Sequence, residues 1–259
     1  MIISHKHRFL FVEIPHTASH SISNELIEFY EGKQIIRKHA NVSQFLNQAT
    51  KDEKAYFKFA TVRNPLDYMV TQYFKYKSNH KGQYTNPQAL LVNGGHVTNE
   101  HLKHFRFVNE EGRAFPDFLM EFFNKTYNNW FLLGKQHFDY VIKFENLQEE
   151  YKKVIDMMGL EYHRPLPHIN PTAGKEKRDY REYYPESIKS AVLRNYGPFM
   201  EKWGYELPGG SGYAEIPLSS RIRFRIKDRI VDNISSYINL NPDAPHIQKL
   251  KEWADAIVR

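Results

Sequence analysis

Two strand–loop–helix units constrain this chain more than any other feature. Residues 8–14, RFLFVEI, form a short apolar run rich in Phe, Val and Ile that stops at Pro15, the pattern of a buried strand. After the loop at 15–20, Ile22, Leu26 and Phe29 recur at helical spacing. The second unit repeats the plan. YFKFATV at 56–62 predicts a strand, and a helix follows from Pro65 with Asn64 as its cap. The apolar face of that helix is Leu66, Met69, Val70, Tyr73 and Phe74.

The same alternation continues. DYVIKF at 139–144 suits a third strand, leading through Glu145 and Asn146 into a helix that ends near Met158 and Gly159. Further helices are expected at 116–128 and at 185–203, the latter closing at Gly204. Alternating strands and helices imply an α/β fold: a central parallel sheet flanked by helices, in three layers. The stretch 79–113 holds much Asn, Gly, His and Gln with little periodicity, and reads as a long surface excursion of the functional or mobile kind. Residues 164–182 read as a basic loop, and PGGSG at 208–212 as a linker. The chain of 259 residues is therefore expected to hold one α/β domain over 1–207. A linker and a largely helical appendage over 208–259 would follow, opening with the basic run SRIRFRIKDR.

Composition removes several chemistries. With no cysteine, disulfide scaffolds, thiol nucleophiles and thiolate metal sites are excluded. No segment approaches twenty apolar residues, and the opening MIISHKHRFLFVEIP is too interrupted for a signal sequence or membrane span. A cytoplasmic protein without an integral membrane segment is expected. The formal charge of +6 favours an anionic partner: nucleic acid, a nucleotide cosubstrate or an acidic polysaccharide. The basic residues are scattered, so nucleic acid has only the charge in its favour. Among 13 histidines, His5/His7 and His101/His104 are paired without a carboxylate at metal-ligand spacing, and no metal is expected.

The loops after the first two strands carry the candidate chemistry. A loop entering a helix N-terminus presents unpaired N–H groups and the positive end of the helix dipole. Thr17, Ala18, Ser19 and Ser21 would let the backbone approach an anion there, or would serve simply as helix caps. No GKS or GKT occurs, so this is not a Walker loop, and an ATP-dependent kinase lacks its lysine. Arg63 stands at the end of the second strand, with Thr71 about two helical turns on. Its planar fork suits a phosphate, or a neighbouring carboxylate.

Together these units resemble a known family. IPHTASHSI is similar to the 5′-phosphosulfate loop of sulfotransferases that use 3′-phosphoadenosine 5′-phosphosulfate (PAPS), and VRNPLDYMVTQYF to their 3′-phosphate element. KHANVSQFL (38–46), FDYVIKFENL (138–147), LPHINPT (166–172) and NYGPFMEKWGYEL (195–207) follow in the family's order. The resemblance covers roughly 8–207 and implies a P-loop-like fold of the carbohydrate-modifying type, with PAPS as cosubstrate. By it, His16, Thr17, Ala18, Ser19, His20 and Ser21 would wrap the 5′-phosphosulfate, while Arg63 and Thr71 would hold the 3′-phosphate. Lys175, Lys177 and Arg178 are candidates for a clamp over the nucleotide or for a solvated charge run.

Three positions depart from the family's pattern. His16 replaces its usual lysine, Ser19 a glycine and His20 a small hydroxyl residue. As imidazolium, His16 would neutralise charge on the leaving oxygen. His39 is the candidate base for the acceptor hydroxyl, with Glu13 and Glu145 as alternatives. These substitutions also motivate a second reading, in which the fold retains nucleotide or glycan and has lost turnover. The excursion would shape the acceptor site through Tyr84, His96 and His101; a homo-oligomer is a further expectation, and the 217–259 tail is a candidate docking element.

Overall fold

The computed structural model describes residues 1–40, 42–128, 138–167, 172–175, 178–207, 215–240 and 249. The expected linker at 208–212, Lys177 and the end of the tail lie outside them. The chain divides into two compact units, one of 1–63, 128–169 and 224–259, the other of 64–127 and 170–223.

The first unit is built on a five-stranded sheet. Its strands are β1 (Ile2–Ser4), β2 (Phe9–Val12), β3 (Lys33–Gln34), β4 (Phe57–Val62) and β5 (Tyr140–Lys143), in the order β3-β1-β2-β4-β5. The expected parallel sheet is present as β2-β4-β5, with Phe9 opposite Phe57 and Phe59 opposite Tyr140. Two antiparallel strands extend it, β1 pairing Ile2 with Phe11 and β3 pairing Gln34 with Ile2. The sheet is thus mixed. Strand alternation sends Phe9, Phe11, Phe59 and Ile142 to one face. There they pack with Ile22 and Leu26 of α1 (Ser19–Phe29) and with Tyr151, Val154 and Ile155 of α6 (Leu147–Met157). Leu10, Val12, Ala60 and Val62, on the other face, are also buried. The strands are near-continuous apolar runs because both faces are covered. Gly159, at φ 69°, ends α6 with the left-handed turn that glycine adopts at least cost.

The second unit is helical around an aromatic core. Its helices are α3 (Pro65–Lys77), α4 (Asn99–Phe105), α5 (Phe115–Phe122) and α7 (Glu186–Lys202). Phe118, fully buried, lies against Tyr73, Tyr76, His104, Phe122 and Phe123 at centroid distances of 5.2–5.8 Å. The reading of 79–113 as an aperiodic surface stretch is corrected here. It contains α4 and a wider turn at Arg106–Glu110, and Tyr84, Val97, Phe105 and Val108 belong to the core. The helix expected over 116–128 ends at Phe122. The short α2 (Val42–Leu46) lies between β3 and β4 in the chain, and α8 (Leu218–Leu240) follows α7. Among the described residues no helix is long and apolar enough to cross a membrane.

Candidate functional site

The loop between β2 and α1 emerges where the parallel strands end, the edge at which open α/β sheets bind ligands. Two of its residues are left-handed, His16 at φ 64° and Ala18 at φ 60°, with Thr17 between them at negative φ. Neither is glycine, so each costs about 1–2 kcal/mol against an ordinary conformation. Left-handed residues alternating with right-handed ones are the backbone pattern from which anion-binding concavities are made. Thr17 anchors the loop from below. Its hydroxyl donates to the Ile14 carbonyl at 2.9 Å and hydrogen-bonds the Thr61 hydroxyl of β4. No side chain caps α1 and no acid occupies its first turn, so nothing from this helix offsets the positive pole of its dipole.

Arg63 ties the loop to the neighbouring strand ends. Its Nη1 donates to the His16 carbonyl at 3.2 Å, and its guanidinium lies 4.3 Å from the Phe144 ring centroid, just beyond β5. The residue is 8% exposed. Stacking on a ring suits the planar, weakly hydrated guanidinium better than an ammonium.

The segment before α2 also reaches this loop. The Nδ1 of His39 meets the Glu13 carbonyl at 2.9 Å, and the Nζ of Lys38 meets the Nδ1 of His20 at 3.1 Å. Because a carbonyl only accepts, Nδ1 of His39 carries the proton, and Nε2 keeps the lone pair when the ring is neutral. Glu13, an alternative base from the sequence, is corrected. Its carboxylate is buried, receiving the Met1 amino group at 2.7 Å and the Ser23 hydroxyl at 2.8 Å.

In the second unit, Asn64 Oδ1 accepts from the Leu66 and Asp67 N–H groups at 2.9 and 3.4 Å, the cap that its sequence position predicts. Its Nδ2 donates to the Tyr180 hydroxyl at 2.9 Å. Thr71 donates to the Asp67 carbonyl one turn back at 2.9 Å. Lys175 reaches both, at 2.5 Å from Asp67 Oδ1 and 3.1 Å from Thr71 Oγ1. Thr71 and Lys175 are therefore together, with the Asp67 carboxylate of the first turn of α3 as the second partner of Lys175.

A family model of the sulfotransferase family matches residues 1–198. This chain belongs to the sulfotransferase family. No curated protein and no solved structure matches it. The family's reaction is sulfuryl transfer, and the matched span contains the β2–α1 loop, Arg63, His39, Thr71 and Lys175. All of α8 and the tail lie beyond it.

The remaining candidates fall in different places. Glu145 is exposed in the turn Phe144–Asn146, next in the chain to the ring beneath Arg63. Arg178 is exposed, and Lys177 lies outside the described residues. Tyr84 is corrected as an acceptor contact. It is buried, stacked on Phe105 at 5.4 Å, and burial pushes its hydroxyl up to about 12. His101 is a capping residue, its Nδ1 accepting from the Thr98 N–H at 3.2 Å, and burial lowers its pKa. His96 is exposed and hydrogen-bonds Gln83 at 2.9 Å. His5 bonds Tyr56 and His104 bonds Tyr76, each at 3.2 Å. Among the described residues no group of three or more His, Asp or Glu is placed to hold a metal. Thr61, Phe144 and Lys38 were missed as parts of the loop's surroundings. Only Lys38 carried a signal, its place beside His39 in the motif KHANVSQFL.

Proposed function

We propose that this sulfotransferase-family protein takes the sulfuryl group of PAPS and transfers it to a hydroxyl of a carbohydrate-like acceptor. One observation carries the reading: the β2–α1 loop holds two non-glycine residues in left-handed conformation and is tied by Arg63 at the sheet edge. Strain of this kind persists where the surroundings over-determine it, and it concentrates at ligand clamps. In this reading the backbone of residues 16–21 takes the 5′-phosphosulfate. Arg63 takes the 3′-phosphate, and Thr71, Lys175, Lys177 and Arg178 are the resemblance's further candidates for the nucleotide. Arginine has five donors, so one edge can hold the loop while another meets an oxyanion.

The reaction needs the acceptor oxygen in line with the leaving phosphate oxygen. The acceptor oxygen attacks sulfur, the bridging S–O bond breaks, and its electron pair leaves on the phosphate of adenosine 3′,5′-bisphosphate. The hydroxyl proton passes to Nε2 of His39, with exposed Glu145 as the alternative base. His16 offsets charge on the departing oxygen as imidazolium. The exposed part of 79–113, which includes His96, shapes the acceptor side.

The test is turnover of PAPS with a panel of glycan acceptors, followed as adenosine 3′,5′-bisphosphate formed and sulfate gained by the glycan. Both signals should rise together. A second reading, a nucleotide- or glycan-binding protein without turnover, is favoured by His16 at the family's lysine position and by the Ser19 side chain buried at the start of α1. His16→Lys separates the two. If neither form sulfates any acceptor while both bind nucleotide, the enzyme reading is lost.

A further inference from the structure

The loop from Glu13 to Ser21 contains no lysine or arginine, yet a departing sulfuryl group demands a cation beside the oxygen it leaves. His16 and His20 are the loop's own basic side chains, and an imidazole is only partly charged near neutral pH. The turn at 37–40, closed by the Ala40 N–H to the Arg37 carbonyl at 3.3 Å, brings two consecutive side chains to the loop. His39, left-handed at φ 58°, bonds the carbonyl of Glu13 where the loop begins. Lys38 reaches His20 at 3.1 Å, where the loop becomes helix. Ala40 and Val42 are buried, so the turn is pinned to the core behind it.

The Lys38–His20 contact has a definite chemical sense. An ammonium has donors only, so Nδ1 of His20 accepts and that imidazole is neutral in the contact. The pair therefore brings one positive charge to the first turn of α1. Among the described residues no carboxylate forms an ion pair with Lys38, whereas Lys175 is paired with Asp67. A neutral acceptor holds an ammonium less firmly than an oxyanion does, and the four-carbon stem allows the head to move from one to the other.

We propose that Lys38 is a catalytic residue of this protein, supplying the ammonium that the loop lacks to the phosphosulfate as its bridging S–O bond breaks. The inference rests on the PAPS reading above. Lys38 and His39 then act as a clip on the loop: the ammonium meets charge on the leaving oxygen while Nε2 of the neighbour receives the acceptor proton. No proton leaves Lys38, and the electron pair of the broken bond stays on the phosphate.

The experiment compares wild-type protein with Lys38→Ala, using Lys33→Ala on β3 as a control for loss of one surface charge. Steady-state turnover of PAPS gives kcat, and isothermal titration with adenosine 3′,5′-bisphosphate gives Kd. Lys38→Ala should lower kcat by about 100-fold, the scale of a lost transition-state charge partner. Its Kd should rise by no more than about fivefold, as for an exposed ionic contact. Added methylammonium should restore part of the rate. An unchanged kcat, or a fall in kcat matched by an equal loss of nucleotide affinity, would overturn the role of Lys38 and leave the PAPS reading standing. Wild-type protein that binds no adenosine 3′,5′-bisphosphate would overturn that reading, and this inference with it.

Discussion

At the scale of single residues, the hydrogen bond from Nδ1 of His39 to the Glu13 carbonyl fixes which nitrogen has the lone pair. A base held this way contributes to proton transfer and little to nucleotide binding. His39→Ala should therefore reduce kcat by about 10²–10⁴-fold while the affinity for adenosine 3′,5′-bisphosphate stays within error in a titration. Arg63 should behave differently. Arg63→Lys keeps the charge but loses both the stack on Phe144 and the planar fork that reaches the His16 carbonyl. Losing a charge-assisted contact should weaken adenosine 3′,5′-bisphosphate by about tenfold or more in the same titration. The positions of Arg63 and Thr71 were legible because strand ends and helix caps leave local marks. Thr61 and Phe144 were not, and Lys38 only through its place beside His39, which did not reveal its contact. Their partners Thr17, Arg63 and His20 lie 44, 81 and 18 residues away in the chain, and no local pattern encodes a contact of that range.

Among the elements, α3 was the most legible, from its Asn64 cap to its apolar face. The cap offers a direct check on that local code. Asn64→Ala removes the acceptor for two helical N–H groups and the contact with Tyr180. It should cost about 1 kcal/mol, read as a lower urea midpoint with unchanged slope. Other elements left little trace. β1 and β3 have three and two residues, too few to show alternation, and they exist because the edge of β2 needs partners. α4 has seven residues and a Thr98 cap. Its stability comes from Phe105 and His104 entering the aromatic core, a tertiary contribution that periodicity alone does not reveal.

For the whole molecule, the two cores differ in kind: an aliphatic and phenylalanine layer against the sheet, and an aromatic cluster around Phe118. The second contains a titratable group. His104 is buried there, and burial pushes its pKa from 6.5 down to about 4. Its folded-state pKa lies below the unfolded one, so its neutral form is favoured by folding. This contribution is fully present above the unfolded value and is lost as pH falls from about 6.5 toward 4. Between pH 7 and pH 5 it amounts to about 2 kcal/mol. Denaturation curves at the two pH values should show that loss, and His104→Gln should flatten it.

The central claim is that the loop after β2 and the arginine after β4 serve one phosphosulfate nucleotide. It is tested without knowledge of the acceptor by titrating folded wild-type protein calorimetrically with adenosine 3′,5′-bisphosphate. The account predicts saturable binding at one site per chain, weakened in Arg63→Lys. Protein with an intact unfolding transition that takes up no such nucleotide would contradict it.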